Sequence, residues 1–172
     1  AEKILLSALK RIQSDIPIIS EENTQSHLLE PPTAFFLVDP LDGTKEFLKA
    51  DGSSSFTVNI GLIRNKYPEM GIILAPAINR LFIGARNEGA FEYIDERLLP
   101  LMPRKLGLEN RIAIASTSHR DSQTNDWLLA HNVKKTIRAG SSVKFCLVAS
   151  GEADFYPRFG PTMEWDTAAG DA

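Results

Sequence analysis

The feature that most constrains the fold is an unbroken apolar run at residues 34–38, Ala-Phe-Phe-Leu-Val. A strand without polar alternation is typical of one that is buried on both faces, which requires further layers on either side of its sheet. The run stops at residues 39–44, Asp-Pro-Leu-Asp-Gly-Thr, whose Pro and Gly predict a polar turn. We therefore predict a layered α/β fold with an acidic turn at the end of a buried strand, where ligand sites collect in such folds.

The remaining patterns divide the chain into two units. Apolar residues at helical spacing predict an amphipathic helix over residues 2–14, and alternation predicts a strand near residues 56–62. Short connections predict antiparallel neighbours for the strands that follow. Residues 98–110 show no clear hydrophobic period and are interpreted as a linker. After this linker, strand patterns alternate with helix patterns. In the first unit, the strands after residues 56–62 are predicted near 69–75, 80–86 and 89–94. The second unit is predicted as strand 111–116, helix 122–132, strand 135–138, helix 141–150 and strand 153–156, and the two domains as 1–103 and 104–172.

Composition excludes several classes of protein. Hydrophobic residues make up 43% and charged residues 24% of the 172 residues, as in globular domains. The formal net charge of −3 argues against a nucleic-acid binder, which would carry a basic excess. The single cysteine, Cys146, allows no intrachain disulfide and no cysteine-based zinc site, and suits a reducing, cytoplasmic location. No apolar run approaches the roughly 20 residues that span a bilayer.

The two ends of the sequence resemble cut points. The chain begins with Ala1 and enters a helical pattern at once. Its last eight residues, 165–172, look like the first turns of a helix. The expectation is therefore a fold that is incomplete at both ends.

Acidic residues are concentrated in three places. Glu21 and Glu22 follow a short apolar run, Asp39 and Asp42 flank the predicted turn, and Asp166 begins the terminal helix. Carboxylate oxygens with a backbone carbonyl between them suit a hard cation such as Mg²⁺. Each motif also has a plainer interpretation: a solvated pair of glutamates, a turn-forming aspartate, and an ordinary helix N-cap.

Two of these motifs together resemble a known family. Residues 39–44 and residues 165–170, Trp-Asp-Thr-Ala-Ala-Gly, lie about 120 residues apart with the Glu-Glu pair upstream. This combination resembles the signature of the inositol monophosphatase superfamily. The resemblance implies an α-β-α-β-α sandwich of the inositol monophosphatase and fructose-1,6-bisphosphatase type. It also implies a Mg²⁺-dependent, lithium-sensitive phosphomonoesterase whose first domain binds metal and whose second binds substrate.

The resemblance also implies roles for individual residues. Two or three Mg²⁺ ions would be held by four carboxylates and one backbone carbonyl, and a threonine would orient the attacking water. An aspartate that members carry upstream of the first helix is not found in this sequence. The implied metal ligands are Glu21, Asp39, Leu41 (through its carbonyl), Asp42 and Asp166. The implied catalytic residues are Thr44, Glu21 and Asp42.

Further segments resemble the 3'(2'),5'-bisphosphate nucleotidase branch of the superfamily. These are residues 43–48, Gly-Thr-Lys-Glu-Phe-Leu, and residues 140–146, Gly-Ser-Ser-Val-Lys-Phe-Cys. In the predicted helix 141–150, Lys144 lies in the first turn, where a cation is unfavourable unless an anion binds. The implied reaction is hydrolysis of 3'-phosphoadenosine 5'-phosphate to AMP and phosphate. The implied substrate-binding residues are Gly43, Thr44, His119, Ser141, Lys144 and Arg158.

Several alternatives remain open on the sequence alone. His119 could be a surface histidine, Lys144 could reach solvent, and Arg158 could pair with a carboxylate. The protein could be an inositol or sugar monophosphatase of the same fold, or an inactive module that binds metal or nucleotide. The expected partner is a nucleotide bisphosphate and not a nucleic acid, with no transmembrane segment. Peripheral association with the inner membrane and oligomer formation are left open.

Overall fold

The computed structural model describes residues 1–48, 55–105, 110–116 and 121–172. Within these ranges the chain forms five helices, nine strands and two short 3-10 turns. The helices are α1 (Glu2–Ile12), α2 (Thr44–Phe47), α3 (Ser122–Ala130), α4 (Val143–Ala149) and α5 (Glu164–Asp171). The strands are β1 (Ile18–Ser20), β2 (Ala34–Asp42), β3 (Thr57–Arg64), β4 (Tyr67–Ala75), β5 (Arg80–Ala85), β6 (Gly89–Ile94), β7 (Arg97–Pro100), β8 (Ile112–Ser116) and β9 (Lys135–Ala139). The 3-10 turns are Thr24–Leu28 and Pro76–Ile78.

The first seven strands form one sheet in the order of the sequence. β1 is parallel to β2, and every later neighbour in this sheet is antiparallel. The prediction of antiparallel strands with short connections is therefore confirmed. β8 and β9 form a separate parallel pair joined through α3.

The layers follow from where the apolar side chains pack. On one face of the large sheet, α1 packs through Leu9 against Phe36 and Val38 of β2. α4 and α5 cover the opposite face, and Val143 of α4 also packs against Ile114 of β8. The order is thus helix, sheet, helices, small sheet, which confirms the predicted layered α/β fold.

α5 lies unusually close to the sheet because glycines face it. A Cβ atom at Gly71 would lie 2.0 Å from the carbonyl oxygen of Ala169, and one at Gly61 would lie 3.2 Å from Cβ of Ala168. Any larger side chain on β4 at position 71 would therefore push α5 away. This close packing fixes the first turn of α5, which carries Asp166, over the sheet.

Several sequence-based boundaries are wrong in detail. The predicted linker 98–110 begins too early, because β7 continues the sheet to Pro100, which an edge strand tolerates. The predicted helix 141–150 is shorter, because Ser141 has a left-handed φ of 48° and α4 begins at Val143. The predicted turn at 39–44 is largely strand, since β2 runs to Asp42. The predicted strand 153–156 makes a single bridge, between Phe155 and Ala113.

The division into domains 1–103 and 104–172 stays a prediction. None of the helices described here has the length and apolar content needed to cross a membrane.

Candidate active site

A bulge at the end of β2 brings two aspartates to the same side of the sheet. Asp39 pairs with Asn59 and Asp42 with Thr57, so three steps along β2 match two steps along β3. In a regular strand, residues three apart point to opposite faces, and one extra residue cancels that alternation. The Leu41 amide donates to Asp39 Oδ1 at 2.9 Å, which closes the bulge. The sequence Asp-Pro-Leu-Asp therefore directs both carboxylates toward one point.

The chain then turns into α2 through a glycine. Gly43 has φ 90°, in the left-handed region, and a Cβ there would lie 3.3 Å from the Ser141 side chain. Thr44 begins α2, and its hydroxyl donates to the Leu41 carbonyl at 3.4 Å. Gly43 is therefore required both for the turn and for the close approach of the segment before α4. Thr44 is exposed in the cleft beside the aspartates.

Asp166 both caps the start of its helix and contributes a carboxylate to the candidate site. It is the third residue of α5, and its Oδ2 accepts from the Met163 amide at 3.1 Å and from the Thr162 hydroxyl at 2.9 Å. This contact satisfies an amide at the start of the helix, as a capping residue does. The same carboxylate lies beside those of Asp39 and Asp42.

Three of the predicted metal ligands form one cluster. Ligand oxygens of Asp39, Asp42 and Asp166 all lie within 4.8 Å of one another. We call these three residues the carboxylate cluster. Glu21 follows β1 and adjoins the cluster without belonging to that set. Burial, Asp166 and Asp42 raise the pKa of Glu21, and a hydrogen bond with Asp39 opposes the rise.

The most buried carboxylate is the least satisfied. Asp39 is 1% exposed, and its Oδ2 has no hydrogen-bond donor among the described residues. Burial first, and then a hydrogen bond with Glu21, raise the pKa of Asp39 to about 9. Two carboxylates can share a hydrogen bond only if one of them holds a proton, so a proton or a cation is needed here.

Asp42 is held by donors from two other elements. Its Oδ2 accepts from the Ser142 amide and from the Asn59 amide nitrogen at 3.5 Å, and the Thr57 hydroxyl oxygen lies 3.3 Å from it. Burial and the neighbouring Asp166 nevertheless raise the pKa of Asp42, while Lys144 acts in the opposite direction.

The cluster fits a hard divalent cation. It offers only oxygen atoms, one of them a buried oxygen with no donor in the described part of the chain, and their mutual repulsion favours a compensating positive charge. Oxygen ligands of this kind are what Mg²⁺ prefers. The carbonyl of Leu41 lies in the bulge between the two aspartates of β2.

A cleft of about 300 Å³ connects this cluster with a group of basic residues. Lys144, the second residue of α4, lines the cleft although it is only 4% exposed. Its ammonium donates to the Ser141 carbonyl and lies 5.1 Å from the centre of the Tyr156 ring. Burial lowers the pKa of Lys144 to about 8, against the attraction of Asp42. We call Lys144 and Arg158 the basic group.

The other predicted substrate-binding residues divide into two sets. Ser141 and Arg158 line the same cleft as Lys144, and so do Gly43 and Thr44. The Ser141 hydroxyl is buried without a partner in the described structure, and Arg158 is exposed and donates to the Pro161 carbonyl at 2.8 Å. His119 lies outside the described residues.

Sequence reasoning missed four residues at this site. Tyr156 lines the cleft beneath Lys144, and Thr57, Asn59 and Ser142 surround Asp42. Thr57 and Asn59 alternate with apolar residues, a pattern that by itself indicates a solvent-facing side. Only the Tyr156-Pro157-Arg158 string, next to a predicted ligand, held a usable signal.

Comparison with known proteins decides the family. The sequence model of the inositol monophosphatase family matches residues 1–172, the whole chain. This protein belongs to the inositol monophosphatase family. The carboxylate cluster and the layered fold are therefore features of a member of that family.

Among members of the family, the chain is similar to bacterial proteins named 3'(2'),5'-bisphosphate nucleotidase CysQ. It is 40% identical to the Shigella flexneri protein over 173 residues, covering 100% of this chain and 68% of that protein. It is 38% identical to the protein of Escherichia coli strain K12, again over 68% of its length.

Solved structures of the family agree in fold. The crystal structure of CysQ from Bacteroides thetaiotaomicron, 37% identical, superimposes with a TM-score of 0.77 over 95% of this chain and 68% of that one. SuhB of Mycobacterium tuberculosis, 26% identical, gives a TM-score of 0.79 over 98% of this chain and 67% of that one.

Proposed function

We propose that this protein is a Mg²⁺-dependent phosphatase that removes the 3'-phosphate of 3'-phosphoadenosine 5'-phosphate, giving AMP and phosphate. The observation that carries the proposal is a single cleft with a carboxylate cluster and a buried lysine. Such a cleft suits a substrate with two separate phosphates. The similarity to proteins named 3'(2'),5'-bisphosphate nucleotidase supports this choice.

The carboxylate cluster is the proposed metal site. Asp39, Asp42 and Asp166, with the Leu41 carbonyl and with Glu21 beside them, would hold two or three Mg²⁺ ions. When bound, such ions lower the pKa of water and stabilise developing negative charge on phosphate oxygens.

The chain's own residues would then align the reactants. The Thr44 hydroxyl, anchored on the Leu41 carbonyl, would orient the water whose oxygen forms the new bond to phosphorus. The bond from phosphorus to the 3'-oxygen breaks, and the proton from water balances the charge on the leaving oxygen. Holding water and phosphorus in line lowers the entropic cost of the reaction.

The basic group would hold the second phosphate. Lys144, whose ammonium is largely buried, and Arg158, which is exposed, would pair with the 5'-phosphate. The Ser141 hydroxyl, which has no partner among the described residues, would donate to a substrate oxygen. His119 is proposed for the same group from the family resemblance alone. A cytoplasmic location stays a prediction, and peripheral membrane association and oligomer formation stay open.

The proposal is tested by measuring phosphate release from three substrates side by side. With Mg²⁺, we expect the highest kcat/KM for 3'-phosphoadenosine 5'-phosphate, a lower value for AMP and for inositol 1-phosphate, and inhibition by millimolar Li⁺. An equal or higher kcat/KM for inositol 1-phosphate would instead support a monophosphatase. Binding of the nucleotide without release of phosphate would indicate an inactive binding module.

A further inference from the structure

A group of three buried polar side chains adjoins Asp42. Thr57 and Asn59 come from β3 and Ser142 from the residue before α4. Thr57 and Asn59 are 0% exposed and Ser142 is 2% exposed. We call these three residues the polar triad. Polar groups at this depth are costly unless their hydrogen bonds are made, so each of these bonds has a structural consequence.

The hydrogen bonds of the polar triad have one consistent arrangement. The Ser142 hydroxyl donates to Asn59 Oδ1 at 2.6 Å, which leaves its oxygen free to accept from the Thr57 hydroxyl at 2.7 Å. The Asn59 amide nitrogen then points to Asp42 Oδ2 at 3.5 Å, and the Thr57 oxygen lies 3.3 Å from the same atom. Each side chain therefore orients the next.

Ser142 makes these bonds instead of capping its own helix. Serine at an N-cap position ordinarily accepts from an amide of the first turn. Here Ser142 is the N-cap of α4, yet its side chain makes no capping bond, and its hydroxyl points to β3. Its backbone amide meanwhile donates to Asp42 Oδ2. The residue thus contributes both its amide and its hydroxyl to the surroundings of one carboxylate.

Two donors, the Ser142 backbone amide and the Asn59 side-chain amide, converge on Asp42 Oδ2, and Thr57 acts on them through Ser142. This convergence fixes the rotation of the carboxylate about the Cβ–Cγ bond, and therefore the direction of Oδ1. Rotation is the freedom that a carboxylate loses when it takes a fixed place in a metal site, so fixing it in advance favours binding.

We propose that the polar triad positions Asp42 for metal binding, so that Thr57, Asn59 and Ser142 are positioning residues of the metal site. The inference rests on the proposed role of the carboxylate cluster and not on the identity of the substrate. Since Ser142 lies between Ser141 and Lys144 in the chain, the same group also ties the start of α4 to β3.

The competing explanation is that the polar triad only joins α4 to the sheet. In that case its loss would lower the stability of the fold and leave metal affinity unchanged. Thr57→Val separates the two explanations, because valine keeps the β-branched shape and loses only the hydroxyl. Thr57→Ser restores the hydroxyl without the methyl group.

The test measures Mn²⁺ affinity from the electron paramagnetic resonance signal of the free ion, together with the melting temperature in chelator. Loss of a group that orients a metal ligand typically weakens metal affinity about 10- to 100-fold. We expect a weakening in this range for Thr57→Val, and near wild-type affinity for Thr57→Ser. Ile114→Val, in the core of the small sheet, serves as the control because it removes a methyl group from a fully buried side chain outside the polar triad.

The outcomes are distinct. Wild-type Mn²⁺ affinity in Thr57→Val, with a melting temperature lowered as in Ile114→Val, would overturn the inference. If Thr57→Val does not fold, Ser142→Ala replaces it, with the same expected loss and the same contradicting result. A wild-type protein that binds Mn²⁺ but does not hydrolyse the bisphosphate would refute the proposed function and leave this inference intact. A wild-type protein that binds no Mn²⁺ would overturn the inference.

Discussion

Asp42 and Asp166 of the carboxylate cluster line the same cleft as the basic group, yet the two groups do not neutralise each other. In a buried ion pair whose attraction outweighs desolvation, the acid's pKa falls and the base's rises. Here burial raises the pKa of Asp42 and lowers that of Lys144, although each attracts the other. The pKa values of Asp42 and Lys144 therefore both shift in the direction that favours the neutral form. The carboxylates therefore require a cation, and the lysine an anion, from outside the chain.

The largest effect is expected from removing one charge of the carboxylate cluster. Asp42→Asn keeps an oxygen that can accept from the Ser142 amide, but it loses the charge that attracts Mg²⁺. Removing a metal ligand should lower kcat/KM more than removing a residue that only orients a ligand. We therefore expect kcat/KM to fall more than about 100-fold. Phosphate release at saturating Mg²⁺ is the measurement.

The matched control for Asp42→Asn is Asp15→Asn, an exposed aspartate in the turn after α1. It should retain wild-type activity. Unchanged turnover in Asp42→Asn would mean that the carboxylate cluster is not the metal site.

The next effect concerns the basic group and separates two kinds of substrate. A charge-assisted hydrogen bond contributes about 1.5–3 kcal/mol, so Lys144→Ala should lower kcat/KM for the bisphosphate about 10- to 100-fold. Phosphate release from a monophosphate such as inositol 1-phosphate should change far less, because that substrate has no second phosphate to lose contact with. Both substrates are measured on both proteins.

Lys45→Ala provides the control, since Lys45 lines the same cleft but is exposed. Its loss should be small, as for other exposed charges. Equal losses on both substrates in Lys144→Ala would show that Lys144 is structural and would remove the distinction between the two groups.

A smaller effect follows from the lowered pKa of Lys144. Only the protonated ammonium pairs with a phosphate, and burial brings the pKa of this group to about 8. The kcat/KM for the bisphosphate should therefore fall by up to about tenfold per pH unit above pH 8. The profile of Lys144→Ala should lack this fall. A profile that remains flat to pH 10 in the wild type would contradict the lowered pKa.

Three of the predicted metal ligands lie together in the carboxylate cluster, and two of them follow clear local sequence signals. Asp39 directly follows an unbroken apolar strand, and Asp166 begins a helix whose small residues, Ala168 and Ala169, pack on the sheet. Local propensity and burial agree at these positions, but the grouping of Asp166 with Asp39 was implied only by the family resemblance.

The surroundings of Asp42 could not be predicted, because they depend on packing between distant segments. On β3 the buried side carries Thr57, Asn59 and Gly61, while the more apolar neighbours are less buried. α5 and the start of α4 cover this side of β3. The polar residues of the alternating pattern are therefore buried, although such a pattern usually indicates a side that faces solvent. The left-handed backbone conformation of Ser141 and the bulge in β2 likewise occur where separate elements meet.

The smallest effect, on stability, tests whether the carboxylate cluster needs its cation for folding. The pKa of Asp39 rises from an ordinary 3.8 to about 9 in the folded state. Folding therefore favours the protonated form, whose contribution is complete below pH 4 and is lost as the pH rises toward 9. In chelator, the melting temperature of the wild type should fall across this window. Asp39→Asn does not titrate and should be more stable than the wild type at pH 8 by about 1–3 kcal/mol, the usual cost of an unsatisfied buried group.

Calorimetry of both proteins between pH 4 and 9, with chelator and then with Mg²⁺, makes the comparison. A ligand at 100 times its Kd stabilises the folded state by about 2.7 kcal/mol. Mg²⁺ should therefore raise the melting temperature of the wild type at pH 8 and raise that of Asp39→Asn much less, because the variant lacks one charge of the carboxylate cluster. The variant would thus be the more stable protein without metal and the less responsive one with it. If Asp39→Asn were less stable than the wild type in chelator at pH 8, the buried charge would already be compensated within the chain. The carboxylate cluster and the basic group would then not differ from an ordinary buried ion pair.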